Sequence, residues 1–287
     1  MERRDMLRGL AIAAAAASTS QVAAATSAEA ANGVVDIVPV DQDYAIPGRF
    51  RGKTLIVTGC ARGMGAAAAK RAALEGANVV GVDWIEDLGT RTIADITAAG
   101  GKATFVFGDV GDSAVCDRMV KTAVDTYGSL DLALNNAGVM DGVFSGEPVN
   151  YKKQKPLVFA PIHEATDEYW DNVLRSNAAG VFRSMRAELR QFVEQKRGGA
   201  IVNVGSIAGM TGLAGNPAYV ASKHAVNGLT RNAAIDYAPY GVRVNSVNMA
   251  ATDTPMVARA GLLVAESMKA ATGPTMGRLK TQSLLAY

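Results

Sequence analysis

With two cysteines and two histidines among its 287 residues, the chain is short of the side chains most used for transition-metal binding and thiol chemistry. Neither cysteine has a partner at metal-ligand spacing. Cys60 stands inside a glycine turn and Cys116 in a predicted helix, so both read as small packing residues and no metal is expected. His163 falls in a loop, and His224 points off the helix face that carries its neighbour Lys223. Aromatics make up 6% of the chain, and 29 scattered Lys and Arg face 27 Asp and Glu for a net charge of +2, so nothing points to a nucleic-acid partner. No apolar run is long and strong enough for a stable membrane span. The 49% hydrophobic content is that of an ordinary globular protein, and the length suits one large domain or two small ones.

The first 30 residues differ from the rest. "ERRDMLRGLAIAAAAASTSQVAAATSAEA" has a basic start with Arg3 and Arg4, a weakly apolar Ala-rich middle and small residues for cleavage after Ala25 or Ala30. It looks like a twin-arginine export signal, which sends the protein to the periplasm or beyond; read instead as an Ala-rich tail, it leaves the protein in the cytoplasm. Residues 31–50 form an exposed lead-in in which Pro39, Pro47 and Gly48 break any helix. Residues 51–287 then read as a single domain.

In that domain short apolar runs alternate with longer helical stretches. Strands are expected at Thr54–Thr58, Asn78–Asp83, Ala103–Phe107, Leu130–Asn135, Ala200–Gly205 and Arg243–Asn248, all apolar on both faces. Helices are expected over segments such as Gly65–Glu75, Ser113–Tyr127, Asp167–Glu194 and Tyr219–Tyr237. The alternation implies an α/β fold, a doubly wound parallel sheet of Rossmann type with helices on both faces.

The first strand runs into Thr58-Gly59-x-x-x-Gly63-x-Gly65 and a helix. Gly59 suits a tight turn, Gly63 lets a phosphate approach the backbone with no Cβ in the way, and Gly65 allows helix to pack closely on strand. The helix N-terminus offers unpaired N–H groups and partial positive charge to a pyrophosphate, with Arg62 and Met64 in the same turn. Asp83, 18 residues after Gly65, closes the second strand where a carboxylate accepts from the adenosine ribose hydroxyls. A carboxylate there repels a 2′-phosphate, favouring NAD; Arg62 could pair with that phosphate and pulls toward NADP.

With these residues the chain resembles the short-chain dehydrogenase/reductase family from about Lys53 to Met256. Its glycine spacing is similar to that of the family's shorter oxidoreductases. "NNAG", Asn135 to Gly138, matches the motif after the fourth strand, which implies that Asn136, Ala137 and Gly138 border the cofactor. "GDV" matches the pair that touches adenine, here Asp109 and Val110. Asn177 in "RSNAAG", Ser206 in "NVGSIAG" and the Tyr-x-x-x-Lys pair Tyr219 and Lys223 in "YVASK" match the family's catalytic residues. The resemblance implies an oxidoreductase that moves a hydride between a secondary alcohol or ketone and NAD, with Lys223 also holding the nicotinamide ribose and Asn177 ordering a water that links Lys223 to solvent.

The residues support that chemistry themselves. Tyr219 and Lys223, four apart on a helix, share a face. A free phenol titrates near ~10, and a neighbouring ammonium is expected to draw that value down so that Tyr219 can act as general acid and base. Ser206, at the end of a strand, would hydrogen-bond the substrate oxygen where charge develops.

Three departures from the family stand out. Met249 and Ala250 replace its Pro-Gly, while Thr254 keeps the threonine placed at the nicotinamide carboxamide. The chain stops at Tyr287, where similar chains continue through a helix and an edge strand, so an incomplete C-terminal edge and a weakened homo-oligomer are expected. Without turnover, such a chain would be a dinucleotide-binding protein. Lastly, Met140 to Thr166 exceeds the usual link by a dozen or so residues. It reads either as a lid whose Tyr151, Lys152, Lys153 and Lys155 meet an anionic substrate, or as a solvated surface insertion.

Overall fold

The computed structural model describes residues 44–144 and 146–270. The export-signal reading, most of the lead-in and the stretch after Ala270 on which the edge argument turns lie outside them. Six strands form one parallel sheet: β1 (Thr54–Thr58), β2 (Asn78–Asp83), β3 (Lys102–Phe107), β4 (Leu132–Asn135), β5 (Gly199–Val204) and β6 (Val242–Val247). Their order is β3-β2-β1-β4-β5-β6, so the direction in which strands are added to the sheet reverses between β1 and β4. In such sheets ligands bind beyond the strand C-termini at that reversal.

All five β1 residues are buried, as a central strand covered on both faces requires. Alternate side chains serve opposite layers. Ile56 joins a cluster with α3 (Ser113–Tyr127), α6 (Gly180–Gln195) and α7 (Pro217–Asp236); Leu55 and Val57 join another with α1 (Gly63–Leu74) and α2 (Glu86–Ala98). The outer strands differ from the expectation of two apolar faces. β3 exposes Lys102 and Phe107, and β6 alternates buried Val242 and Val244 with exposed Arg243 and Asn245. Each has a neighbour on one side among the described residues, and one face is enough to anchor it.

The expected long helix from Asp167 is divided. α5 (Asp167–Leu174) passes through a π turn, Arg175–Ala179, into α6. Such a turn inserts a residue, a local irregularity found mostly at functional sites, and Asn177 sits at its centre. The 140–166 segment contains a short helix, α4 (Tyr151–Gln154), and α8 (Pro255–Ala270) follows β6. Thr254 caps α8, its Oγ1 accepting from the Val257 N–H at 3.3 Å. No helix among the described residues is long and apolar enough to cross a membrane.

Candidate active site

The turn between β1 and α1 explains its glycines. A Cβ on Gly65 would lie 2.0 Å from the Gly59 carbonyl oxygen and 2.6 Å from Asn136 Nδ2, so only hydrogen fits. Gly63 has φ +56°, and a Cβ there would find no non-neighbouring atom nearer than Thr254 Cγ2 at 3.5 Å, so its open side faces a cleft. Arg62 supplies no side-chain cap to α1, and the first turn holds no acid. A helix N-terminus without an acidic side chain in its first turn suits an anion such as a dinucleotide pyrophosphate.

Around this turn the cleft gathers most of the residues expected at a cofactor: Gly59, Arg62, Gly63, Met64, Asp83, Asp109, Val110, Asn136, Ala137, Gly138 and Thr254 line it. Gly65 does not, and works instead through packing. "NNAG" is locked to the end of β1. Thr58 Oγ1 accepts from the N–H groups of Asn136 and Ala137, while Asn136 Nδ2 donates to the carbonyls of Thr58 and Gly59 at 3.2 and 3.1 Å.

Asp83 is buried and accepts from the Ala61 N–H at 2.8 Å and the Ile85 N–H at 2.9 Å. Burial raises its pKa, opposed by these hydrogen bonds and the nearby Arg62 charge. Asp109 accepts from the Gly111 N–H at 2.7 Å and pairs with Arg175.

Beside Gly138 lie two of the four residues expected to act, Asn177 and Lys223. A Cβ on Gly138 would sit 3.1 Å from Asn177 Oδ1 and 3.6 Å from Lys223 Nζ, so this glycine is the seam between cleft and catalytic group. Asn177, fully buried, accepts from the Val139 N–H and donates to the Val139 carbonyl, both at 2.8 Å, and donates to Ser222 Oγ at 3.0 Å. Its side chain therefore pins the loop after β4 to α7. Ser206 caps a 3₁₀ turn, its Oγ accepting from the Ala208 N–H at 3.1 Å, and its own N–H donates to Asn248 Oδ1 at 3.2 Å.

The electrostatics depart from the sequence-based expectation. Burial pushes the Tyr219 phenol above its ordinary range, while a hydrogen bond with the Ser206 side chain pulls it the other way. Lys223 was expected to provide the lowering. Its Nζ instead donates to the Val204 carbonyl at 2.8 Å and lies 5.7 Å from the centre of the Tyr219 ring. Lys223 is itself pushed down to about 8 by burial. Desolvation, which penalises both charged forms, is the leading cause of both shifts.

Cys60 and Cys116 are buried, as packing residues should be. His163 and His224 are exposed. Lys152, Lys153 and Lys155 face solvent and do not line this cleft. Four residues that sequence motifs did not mark also belong to the site. Asn248 holds Ser206, and Trp84, Asp141 and Arg259 line the cleft.

Comparison with known proteins agrees with this arrangement. Residues 53–262 match the family described as short chain dehydrogenase. The chain is 40% identical over 214 residues to a 3beta-hydroxysteroid dehydrogenase of Mediterraneibacter gnavus, covering 75% of this chain and 71% of that one. It is 36% identical over 229 residues to a cyclopentanol dehydrogenase of Comamonas, covering 80% and 84%. Among solved structures it resembles a short chain dehydrogenase from Mycobacterium paratuberculosis bound to NAD, with TM-score 0.66, 28% identity and coverage of 77% and 82%. Motifs, sheet order and relatives thus agree, and the chain belongs to the short-chain dehydrogenase family of oxidoreductases that act on alcohols.

Proposed function

We propose that the protein is an NAD-dependent dehydrogenase of secondary alcohols, reversible toward the ketone, with Tyr219 as general acid and base. One observation carries this reading: Tyr219 shares a helix face with buried Lys223, whose Nζ lies 5.7 Å from the Tyr219 ring centre and 3.6 Å from where a Cβ on Gly138, a glycine lining the dinucleotide cleft, would sit. The nicotinamide, when bound, supplies the hydride acceptor or donor. The open side of Gly63 and the N-terminus of α1 would hold the pyrophosphate. Asp83 would meet the adenosine ribose, Asp109 and Val110 the adenine, and Thr254 the carboxamide side.

In the oxidising direction the phenolate oxygen of Tyr219 takes the hydroxyl proton as the carbinol C–H bond gives up its hydride. In the reducing direction the phenol returns that proton to the forming alkoxide. Ser206 orients the reacting oxygen and stabilises its charge. Lys223, at about 8, keeps its proton through most of the neutral range and biases the phenol toward ionisation as charge forms. Asn177 acts through position, fixing Val139 and therefore Gly138 against α7.

NAD is favoured over NADP because the Asp83 carboxylate is fixed at the end of β2 by two backbone N–H groups, so it cannot swing away from a 2′-phosphate. The NAD-bound solved structure and the relatives acting on cyclopentanol and 3β-hydroxysteroids support the cofactor and the substrate type. The test is a panel of cyclic secondary alcohols and their ketones, followed at the reduced nicotinamide absorbance with NAD and with NADP. Turnover with NAD on at least one ring alcohol is expected. Binding of NAD without turnover across the panel would instead support a dinucleotide-binding protein.

A further inference from the structure

Part of the segment after Gly138 is built into the fold, although its lysines are exposed. Val139, Val143, Val158 and Phe159 are buried in a third apolar cluster with Tyr169 and Leu263. Gly142 is held by the Leu157 carbonyl, which accepts from its N–H at 2.7 Å, and by Asn172, which donates to its carbonyl at 3.2 Å. From the first turns of α8, Arg259 reaches across with three bonds. It donates to Asp141 Oδ2 at 3.2 Å, to the Glu147 carbonyl at 2.7 Å and to Gln154 Oε1 at 3.5 Å. The Arg259 and Asp141 side chains are only 12% and 8% exposed, so the joint is largely shielded from water and screened far less than a surface ion pair.

This anchored segment carries Phe144 to an unexpected neighbour. Its ring meets that of Trp84 at 5.2 Å between centroids, tilted by 49°. Trp84 follows Asp83, the last residue of β2, whereas Phe144 belongs to the connection that leaves β4. In the sheet β2 and β4 lie on either side of β1. At roughly 4.8 Å between adjacent strands, the two are about 10 Å apart. The ring pair therefore joins the segments that leave the two strands flanking β1, and Trp84 itself lines the cleft beside Gly59, Arg62 and Gly63. Arg62, Asp83 and Asp141 line the same cleft, and the Arg62 charge acts on both carboxylates. Phe144 remains 45% exposed while its ring packs on that of Trp84.

We propose that Phe144 and Trp84 form a clasp across the dinucleotide cleft, with Arg259 anchoring the segment that carries Phe144, and that this clasp sets the rate at which the dinucleotide leaves. The inference rests on the NAD reading above. It assigns the segment to cofactor retention rather than substrate choice. Release then requires the ring pair to part, while hydride transfer, which takes place at Tyr219 and Ser206, does not.

The test uses NADH as probe. Full-length protein preloaded with NADH is mixed in a stopped-flow instrument with excess NAD, and the decay of bound nicotinamide fluorescence gives the release rate. Phe144→Ala is expected to speed release by about 3- to 10-fold, the equivalent of one lost aromatic pair. Phe144→Tyr should return the rate to within about twofold of the parent. The single-turnover hydride-transfer rate should be the same in all three. Phe144→Leu, which keeps the apolar bulk but no ring, is the substitute should the alanine variant melt early. A parent that binds no NADH would remove the NAD reading itself. A parent that binds NADH, with alanine and leucine variants that release it no faster, would overturn the clasp while leaving that reading intact.

Discussion

Glu188 offers a prediction that depends on the core alone. It lies on α6, fully buried, and its Oε2 accepts from Asn135 Nδ2 at 3.0 Å while Oε1 has no hydrogen-bond partner. Asn135 also donates to Asn203 Oδ1 at 3.0 Å, and Asn203 donates to Thr230 Oγ1 at 2.9 Å. The network thus ties together β4, β5, α6 and α7, the elements that carry Gly138, Ser206 and Tyr219. Burial pushes Glu188 up to about 7 from an ordinary 4.5, against the lowering effect of the Asn135 bond. Because the folded value is raised, the favourable contribution is complete below about 4.5 and is lost as pH rises through about 7. At 1.36 kcal/mol per pKa unit, the carboxylate costs the fold about 3 kcal/mol above neutrality. Glu188→Gln removes the charge and keeps the acceptor for Asn135. The new amide N–H groups need partners, which reduces the net gain to about 1–3 kcal/mol, or a rise in Tm of roughly 2–10 °C at pH 8 for a domain of this size. Parent and variant should be melted at pH 5, 6, 7 and 8. The stability difference should grow with pH and level off above 7. A difference that does not change with pH would refute the reasoning.

Three further expectations follow from the site. Gly65→Ala forces a Cβ to within 2.0 Å of the Gly59 carbonyl oxygen and should destabilise the fold by about 3 kcal/mol or more, read as a lower urea midpoint; an unchanged midpoint would contradict the packing described. Asp83→Ala removes the fixed carboxylate, and the ratio of kcat/KM with NAD to that with NADP should fall by about 10-fold or more; a constant ratio would detach Asp83 from cofactor choice. Because burial raises the Tyr219 phenol, its base form accumulates only as pH rises, so kcat/KM for alcohol oxidation should climb through the neutral range, the climb weakening as Lys223 loses its proton at about 8; a flat profile would deny the phenol that role.

What was legible in the sequence was whatever a backbone or a helical repeat imposes locally. The β1 turn announces itself because no side chain fits at Gly65, and Tyr219 and Lys223 share a face because they are four apart on one helix. The direction of the Tyr219 shift was not legible, since it depends on how much water α7 and its neighbours exclude. Nor were the cross-chain contacts. Arg259 and Asp141 are separated by 118 positions, and Trp84 meets Phe144 only because β2 and β4 flank β1. Glu188, in a helix of otherwise amphipathic pattern, reads from sequence as a solvated charge. It is the Asn135 amide inside the core that explains its burial.

The central claim is that Tyr219 moves the proton while the dinucleotide is held independently by the turn after β1. Tyr219→Phe keeps the ring and removes the hydroxyl, so the most direct measurement is single-turnover hydride transfer with bound NAD and a reactive alcohol, in parent and variant. NAD affinity should stay within about threefold, and the hydride-transfer rate should fall by about 10²- to 10⁴-fold. A variant that transfers hydride at the parental rate would contradict the claim.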